Sequence, residues 1–358
     1  MADRNGKIPV SVLTGFLGSG KTTVLNRLVR HPKMARALVI INEFGEIGLD
    51  HELVESATDD MVLLQNGCLC CTVRSDLIDA LEAMLHKAEQ EEIPRFDRVV
   101  IETTGLADPA PILQGFISDP VLAQHFVLDA VIATVDAMTG NATFDRHIEA
   151  VKQAAVADRL LLTKTDLARP SQWAAVERRL RLLNPAAPIV RTLPESEIDP
   201  GVLFGAGLFD PLAKSADVRR WLDEEKYLEA GRHEHEAHAG HAHHGDADAH
   251  HDVNRHDDHI RAICLVFDDP IPGEVLDRWL GSLFQFKGPD LLRFKAIVNV
   301  AELPGPLILH GVQHVIHPPM ALKSWPGEDR RTRMVFITYD IDENALRSSF
   351  QECVEVPA

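Results

Sequence analysis

The stretch from Gly15 to Thr22, GFLGSGKT, constrains the fold of this chain more than any other. The apolar run at residues 8–13 predicts a buried strand before it, and residues 23–30 carry apolar side chains at helical spacing. A strand, G-x-x-x-x-G-K-T and a helix, in that order, are typical of a phosphate-binding loop. The glycines let backbone N–H groups turn inward around a polyphosphate at the positive end of the helix. The chain is therefore predicted to bind a nucleoside triphosphate.

Each residue of this loop has an expected task. Lys21 is expected to reach the β- and γ-phosphates and to assist catalysis, and the Thr22 hydroxyl is expected to bind Mg²⁺. The alternative is an ordinary glycine-rich turn between a strand and a helix. The residues expected to hold the phosphates and Mg²⁺ are Gly15, Gly18, Ser19, Gly20, Lys21, Thr22 and Thr23.

The charge and the apolar pattern of the chain argue against several classes of partner and location. The net charge of -18 argues against binding to nucleic acid or to an anionic membrane surface. No apolar stretch is long enough to span a membrane, and residues 1–7 lack a hydrophobic signal region. We therefore expect a cytoplasmic protein whose thiols stay reduced.

Strand and helix patterns alternate through the first part of the chain. This order predicts an α/β fold, a P-loop NTPase domain with a mostly parallel sheet covered on both faces. One predicted helix begins near Val73, and two others cover residues 145–157 and 171–183. The predicted strands are residues 35–42, 61–65, 97–103, 129–135, 159–163 and 189–190, with residues 66–71 as a loop.

The composition changes near Leu228. Residues 233–259 contain ten histidines and almost nothing apolar, so they predict a mobile linker. Neutral imidazoles can bind Zn²⁺, Ni²⁺ or Co²⁺ weakly, and a solvated spacer is the alternative. The predicted domains are therefore 1–228, 229–258 and 259–358. The last is expected to be a small α+β domain, with strands at 260–267, 291–300, 307–316 and 332–339 and helices at 273–286 and 342–353.

Thr163-Lys164-Thr165-Asp166, after an apolar run, is predicted to select guanine. A carboxylate at Asp166 can accept from guanine N1–H and N2–H, and the Lys164 stem can cover the base. Adenine lacks those donors and would leave the carboxylate unpaired. Thr163 stands where Asn is usual, and a surface turn is the alternative.

Glu102 and Gly105 belong to the run VVIETTG at residues 99–105. A carboxylate at the end of a buried strand can hold Mg²⁺, usually through water. Gly105 is expected to bring a backbone N–H to the γ-phosphate. Asp50 is a candidate to orient the attacking water or to touch the Mg²⁺ shell, with a simple helix cap as its alternative.

Cys68, Cys70 and Cys71 predict a metal site. Thiolate is the best ligand for Zn²⁺, which prefers four ligands in a tetrahedron. Three thiols supply three corners, and Glu43 is the first candidate for the fourth. Cu(I) and Co²⁺ remain open, as do a redox pair and a packing cluster.

With these motifs in this order, the sequence resembles the CobW-type GTPases, P-loop proteins related to the nickel-insertion GTPases of hydrogenase and urease. The resemblance covers nearly the whole chain, and Gly-Cys-Leu-Cys-Cys at 67–71 and Glu102 are its specific parts. It implies a metallochaperone that delivers zinc to a client metalloprotein, with GTP hydrolysis timing the release. Other members are linked to cobalt in cobalamin synthesis or to nitrile hydratase activation. A metal-responsive GTPase regulator without transfer, or an enzyme using the thiols on a small substrate, are the alternatives. No oligomeric state is predicted.

Overall fold

The computed structural model describes residues 6–43, 62–67, 73–193, 197–205, 259–313, 315–325 and 327–355. The chain forms two compact units. Within the described ranges, no helix combines the length and the apolar character that crossing a bilayer requires.

The first unit is built around a seven-stranded sheet in the order β3-β2-β4-β1-β5-β6-β7. All neighbouring pairs in it are parallel, which confirms the predicted α/β class. The strands are β1 Ile8–Gly15, β2 Ala37–Glu43, β3 Val62–Gly67, β4 Arg98–Glu102, β5 Phe126–Asp136, β6 Arg159–Thr163 and β7 Ile189–Arg191.

The predicted end of the third strand was wrong. Asn66 and Gly67 were assigned to a loop, whereas β3 continues through both. Their partners in the ladder are Asn42 and Glu43 on β2. Pairing with a neighbouring strand therefore overrides the low strand propensity of Asn and Gly.

Eight helices lie in the described part of residues 6–205. They are α1 Lys21–Val29, α2 Val73–Glu89, α3 Ala110–Ser118, α4 Pro120–His125, α5 Gly140–Arg146, α6 Ile148–Val156, α7 Pro170–Leu183 and α8 Pro200–Leu203. The single helix predicted for residues 145–157 is in fact two helices. His147 separates them: its N–H donates to the Thr143 carbonyl, and its own carbonyl accepts from Ala150.

Helix α1 packs on the sheet through one apolar face. Val24, Leu25 and Leu28 are buried in a cluster that includes Leu13 of β1 and Val100 of β4. Each such side chain stabilises the fold by about 1.5–3 kcal/mol. This packing fixes the first turn of α1 at the carboxyl end of β1.

The second unit contains an antiparallel sheet in the order β11-β10-β9-β13-β8, with β12 beside β10. Trp279, Phe294, Phe336 and Phe350 form its aromatic core, where the indole of Trp279 lies edge-on to Phe336 and Phe350. This arrangement confirms the predicted α+β domain. Its elements are β8 Ile260–Phe267, α9 Gly273–Lys287, β9 Leu291–Val298, β10 Leu307–Val312, β11 Val315–Ile316, β12 Met320–Ala321, β13 Thr332–Tyr339 and α10 Glu343–Glu355.

The predicted boundaries at residues 228/229 and 258/259 and the histidine-rich stretch between them lie outside the described residues. The three-part division therefore stays a prediction.

Candidate nucleotide site

The carboxyl ends of four adjacent strands bring the candidate residues to one edge of the sheet. In the ladder, Leu13 of β1 and Ile41 of β2 both pair with Glu102 of β4. One strand further, Glu43 of β2 pairs with Gly67 of β3. Ligands of open parallel sheets bind at this kind of edge.

The phosphate loop lies between β1 and α1. Gly20 is the N-cap of α1 with a φ of 93°, a left-handed conformation that favours glycine. The buried Lys21 ammonium donates hydrogen bonds to the carbonyls of Gly15 at 2.9 Å and Phe16 at 3.4 Å. Thr23 is exposed in the first turn of the helix. Two carbonyls of the loop thus bind the Lys21 ammonium, and the oxygens of a bound polyphosphate would compete with them for it.

Thr22 and Glu102 lie together. The Thr22 hydroxyl donates a hydrogen bond of 2.8 Å to Oε1 of Glu102, and the Glu102 side chain is buried at the end of β4. A carboxylate and a hydroxyl are hard oxygen donors of the kind that Mg²⁺ prefers. A buried carboxylate is also costly without a cation. The donor set therefore fits the predicted magnesium site.

Hydroxyl groups support the loop from below, a feature that sequence reasoning missed. The Ser19 and Thr134 hydroxyls lie 2.6 Å apart, and Thr103 donates to the Thr14 hydroxyl at 2.9 Å. A Cβ at Gly15 would collide with the Thr134 hydroxyl, so this strand end tolerates only glycine. Hydroxyl groups from β1, β5 and the residue after β4 therefore fix the position of the phosphate loop.

The Thr-Lys-x-Asp motif stands beside the phosphate loop. The Thr163 hydroxyl donates to the Ser19 carbonyl at 2.7 Å or to the Val135 carbonyl at 3.1 Å. Lys164 donates to the Gly18 carbonyl at 2.7 Å. Asp166 is exposed two residues further on. Thr163, in place of the more usual Asn, therefore still ties the candidate base-reading segment to the phosphate loop.

Asp136, at the end of β5, is a further residue that sequence reasoning did not single out. Its carboxylate accepts from Lys164 at 2.7 Å and from the backbone amides of Met138 and Thr139. Burial raises the pKa of Asp136, but the Lys164 and backbone hydrogen bonds outweigh this, so the pKa is lowered below its usual value. Its position directly after the predicted strand at residues 129–135 was a signal for it.

A tight turn follows β4. The Ala107 N–H donates to the Thr104 carbonyl at 3.2 Å, which closes the turn around Gly105. A Cβ on Gly105 would lie 2.6 Å from the N and Cα of Leu17, so only glycine allows this approach to the phosphate loop. On the far side, the Gln153 amide donates to the carbonyls of Gly105 and Ala107.

Several predicted site residues lie outside the described residues: Asp50, Cys68, Cys70 and Cys71. Glu43 is placed by its backbone, at the last position of β2. Among the described residues, no group of three or more His, Cys, Asp or Glu side chains has the geometry of a metal site. The roles of these five residues stay predictions.

The phosphate loop, the buried Glu102 carboxylate and Lys164 bonded to the loop are features of a P-loop nucleotide-binding protein. Comparison with known families agrees: "CobW/HypB/UreG, nucleotide-binding domain" matches residues 9–191, and "Cobalamin synthesis protein cobW C-terminal domain" matches residues 260–354. The chain belongs to the CobW/HypB/UreG family of P-loop GTPases.

Two curated relatives match almost end to end. The zinc chaperone YjiA of Escherichia coli K12 is 34% identical over 343 residues, covering 96% of this chain and 98% of that protein. The zinc chaperone CobW of Sinorhizobium sp is 30% identical over 378 residues, covering 98% of both. The crystal structure of zinc-bound YjiA GTPase superposes with a TM-score of 0.69 at 29% identity, over 97% of this chain and 99% of that one.

Proposed function

We propose that this GTPase is a zinc metallochaperone: it holds Zn²⁺ with Cys68, Cys70 and Cys71 and passes it to a client metalloprotein, timed by GTP hydrolysis. The observation that carries this proposal is the pairing of Glu43 with Gly67 in neighbouring parallel strands. Gly67 directly precedes the first of the three cysteines. Glu43, the candidate fourth zinc ligand, is therefore aligned with the residue that directly precedes the cysteines.

The order of the strands brings the end of β3 close to the phosphate loop. Strand β2 lies between β3 and β4, and Glu102 at the end of β4 touches Thr22 of the phosphate loop. Neighbouring strands are about 5 Å apart, so the end of β3 lies about 10 Å from the end of β4. A change at the γ-phosphate therefore has a short path to Glu43.

The contacts at the phosphate loop support the roles proposed for Lys21, Thr22 and Glu102. Lys21 would hold the β- and γ-phosphates, Thr22 and Glu102 would hold Mg²⁺, and Gly105 would present its N–H to the γ-phosphate. Mg²⁺ supplies charge neutralisation on the transferred phosphoryl group. Asp166 would accept from guanine, and Asp50 would orient the attacking water.

Zinc is the favoured cargo because thiolates bind it well and because YjiA and CobW are both called zinc chaperones. Co²⁺ is the alternative metal for the same ligands. One zinc-bound YjiA structure is of a variant with one glutamate and two cysteines replaced by alanine. Zinc binds that variant without those three side chains, so a test in this chain must separate the thiol site from others, including the histidine-rich stretch.

The experiment measures zinc stoichiometry and affinity by chelator competition in the full chain. A background variant with the linker histidines at 233–256 changed to serine is compared with the same chain carrying Cys68, Cys70 and Cys71→Ser. We expect one tight zinc ion in the first and none in the second. Equal tight binding in both would refute the thiol site. Zinc that is held but never passed to an apo zinc enzyme would support the regulator instead.

A further inference from the structure

The turn Thr104–Ala107 lies between the phosphate loop and helix α6. On one side, Gly105 lies against the backbone of Leu17 in the phosphate loop, closer than any side chain would permit. On the other side lies α6, which carries Gln153. The turn therefore cannot shift toward or away from the phosphate loop without changing its contacts with α6.

Gln153 is buried, with a relative exposure of 1%. Its Nε2 donates to the Ala107 carbonyl at 3.0 Å and to the Gly105 carbonyl at 3.3 Å. Both amide hydrogens are thus used on the turn, which also fixes which end of the amide faces it, since two carbonyls require the NH₂ group.

The carbonyl oxygen of the same amide, Oε1 of Gln153, is buried and lacks a hydrogen bond among the described residues. A buried acceptor without a donor destabilises the arrangement that contains it. This conformation therefore holds the turn firmly on one side of the amide, while a shift that gave Oε1 a donor would be favoured.

We propose that Gln153 is a positioning residue. Its amide fixes the position of the Gly105 N–H and couples binding of the terminal phosphate to the position of α6. The proposal rests on the proposed contact between Gly105 and the γ-phosphate. Gln153 itself touches neither nucleotide nor metal. Its effect should be confined to the state in which a terminal phosphate is bound, because GDP lacks the phosphate that Gly105 is proposed to contact.

A weaker contact between the same two segments supports this reading. The Lys152 ammonium lies 3.8 Å from Oδ2 of Asp108, and both side chains are partly exposed. Asp108 also accepts from the Ala110 N–H at the start of α3. Exposed ion pairs of this kind contribute little, so the buried amide of Gln153 is the main connection.

The test compares Gln153→Met, which keeps length without donors, with the wild-type chain. Affinities for GDP and for a non-hydrolysable GTP analogue, and kcat for GTP, are measured. We expect GDP affinity to change less than twofold, the preference for the GTP analogue over GDP to fall about tenfold, and kcat to fall with it. Gln172→Met is the matched control, because that side chain bonds Arg169 near the start of α7. It should leave all three unchanged.

An equal loss of affinity for both nucleotides would show a merely structural role and overturn the proposal, as would no change in either. If Gln153→Met does not fold, hydrogen exchange on the wild-type chain decides instead. We then expect amides at 105–108 and 152–156 to change protection together between the GDP and GTP-analogue states. Independent behaviour of the two segments would refute the coupling. A wild-type chain that binds the GTP analogue and GDP with equal affinity would count against the Gly105 contact itself.

Discussion

The Thr22 hydroxyl and Oε1 of Glu102 are joined by a hydrogen bond of 2.8 Å, although the two residues are 80 positions apart in the chain. Thr22 lies in the first turn of α1, and Glu102 ends β4. A hydroxyl that donates its one hydrogen keeps both lone pairs for another partner. In the proposed magnesium site, the oxygen of Thr22 would therefore remain able to bind the cation while Glu102 supplies negative charge beside it.

The first prediction concerns that carboxylate. Glu102→Gln keeps the size of the side chain and removes its charge, so we expect kcat for GTP to fall about 100-fold because Mg²⁺ is held less well. Nucleotide affinity without Mg²⁺ should change little. Steady-state hydrolysis across a Mg²⁺ titration checks this. A normal kcat of the variant at low Mg²⁺ would contradict the assignment of Glu102 to the magnesium site.

The second prediction concerns the base. Asp166→Asn replaces an acceptor by a group that can donate, and xanthine carries an oxygen where guanine carries its amino group. We expect GDP affinity to fall by at least about 100-fold and XDP affinity to rise. Competition binding with both nucleotides checks this. An unchanged preference for GDP would contradict the assignment of Asp166 to the base.

The third prediction concerns Asp136, which holds Lys164 against the phosphate loop. Asp136→Asn should weaken GDP and GTP-analogue binding equally, by about tenfold, because Lys164 loses its charged partner. A double-mutant cycle with Lys164→Met should show that the two changes are not additive. Strict additivity would mean that the two residues act separately.

The fourth prediction concerns pH and the second unit. Hydrogen bonds from Arg331 are the largest cause of a pKa of Asp329 well below its usual value. Burial opposes them, and Arg333 adds a smaller lowering effect. A lowered pKa means stability that is present above the unfolded value of about 3.9 and lost as pH falls through the folded value. Because the Asp329 side chain is 43% exposed, the gain should be no more than about 1 kcal/mol.

Urea unfolding of wild type and Asp329→Asn, followed by fluorescence, measures this contribution. The variant should be less stable at pH 7, and the difference should shrink as the pH is lowered from about 4 toward 2. A difference that is the same at both ends of the range would show that the charge of Asp329 is not its cause.

Local patterns predicted the parts of the fold that depend on neighbouring residues. The strand, loop and helix at residues 8–30 and the second unit after Ile260 were both visible as periodicity. Helices α3 and α4 were missed, although Asp119 accepts from Val121 and Leu122 at the start of α4, and Asp-Pro is a recognisable start signal. The capping residue was there to be read.

Contacts across the chain left no such signal. Gln153 and Gly105 are 48 residues apart, and nothing in either segment marks the other. The pairing of Glu43 with Gly67 depends on the order of strands in the sheet, which alternating strands and helices do not determine. The motifs therefore indicated which chemistry to expect, whereas the fold was needed to show which residues support them.

Zinc affinity in two nucleotide states decides whether the proposed cysteine site responds to GTP. It is measured by chelator competition on the full chain with the linker histidines changed to serine, once with GDP and once with a non-hydrolysable GTP analogue. We predict at least a tenfold difference that disappears in the Cys68, Cys70 and Cys71→Ser variant. Equal zinc affinity in both states would contradict it and leave a GTPase whose zinc site does not respond to its nucleotide.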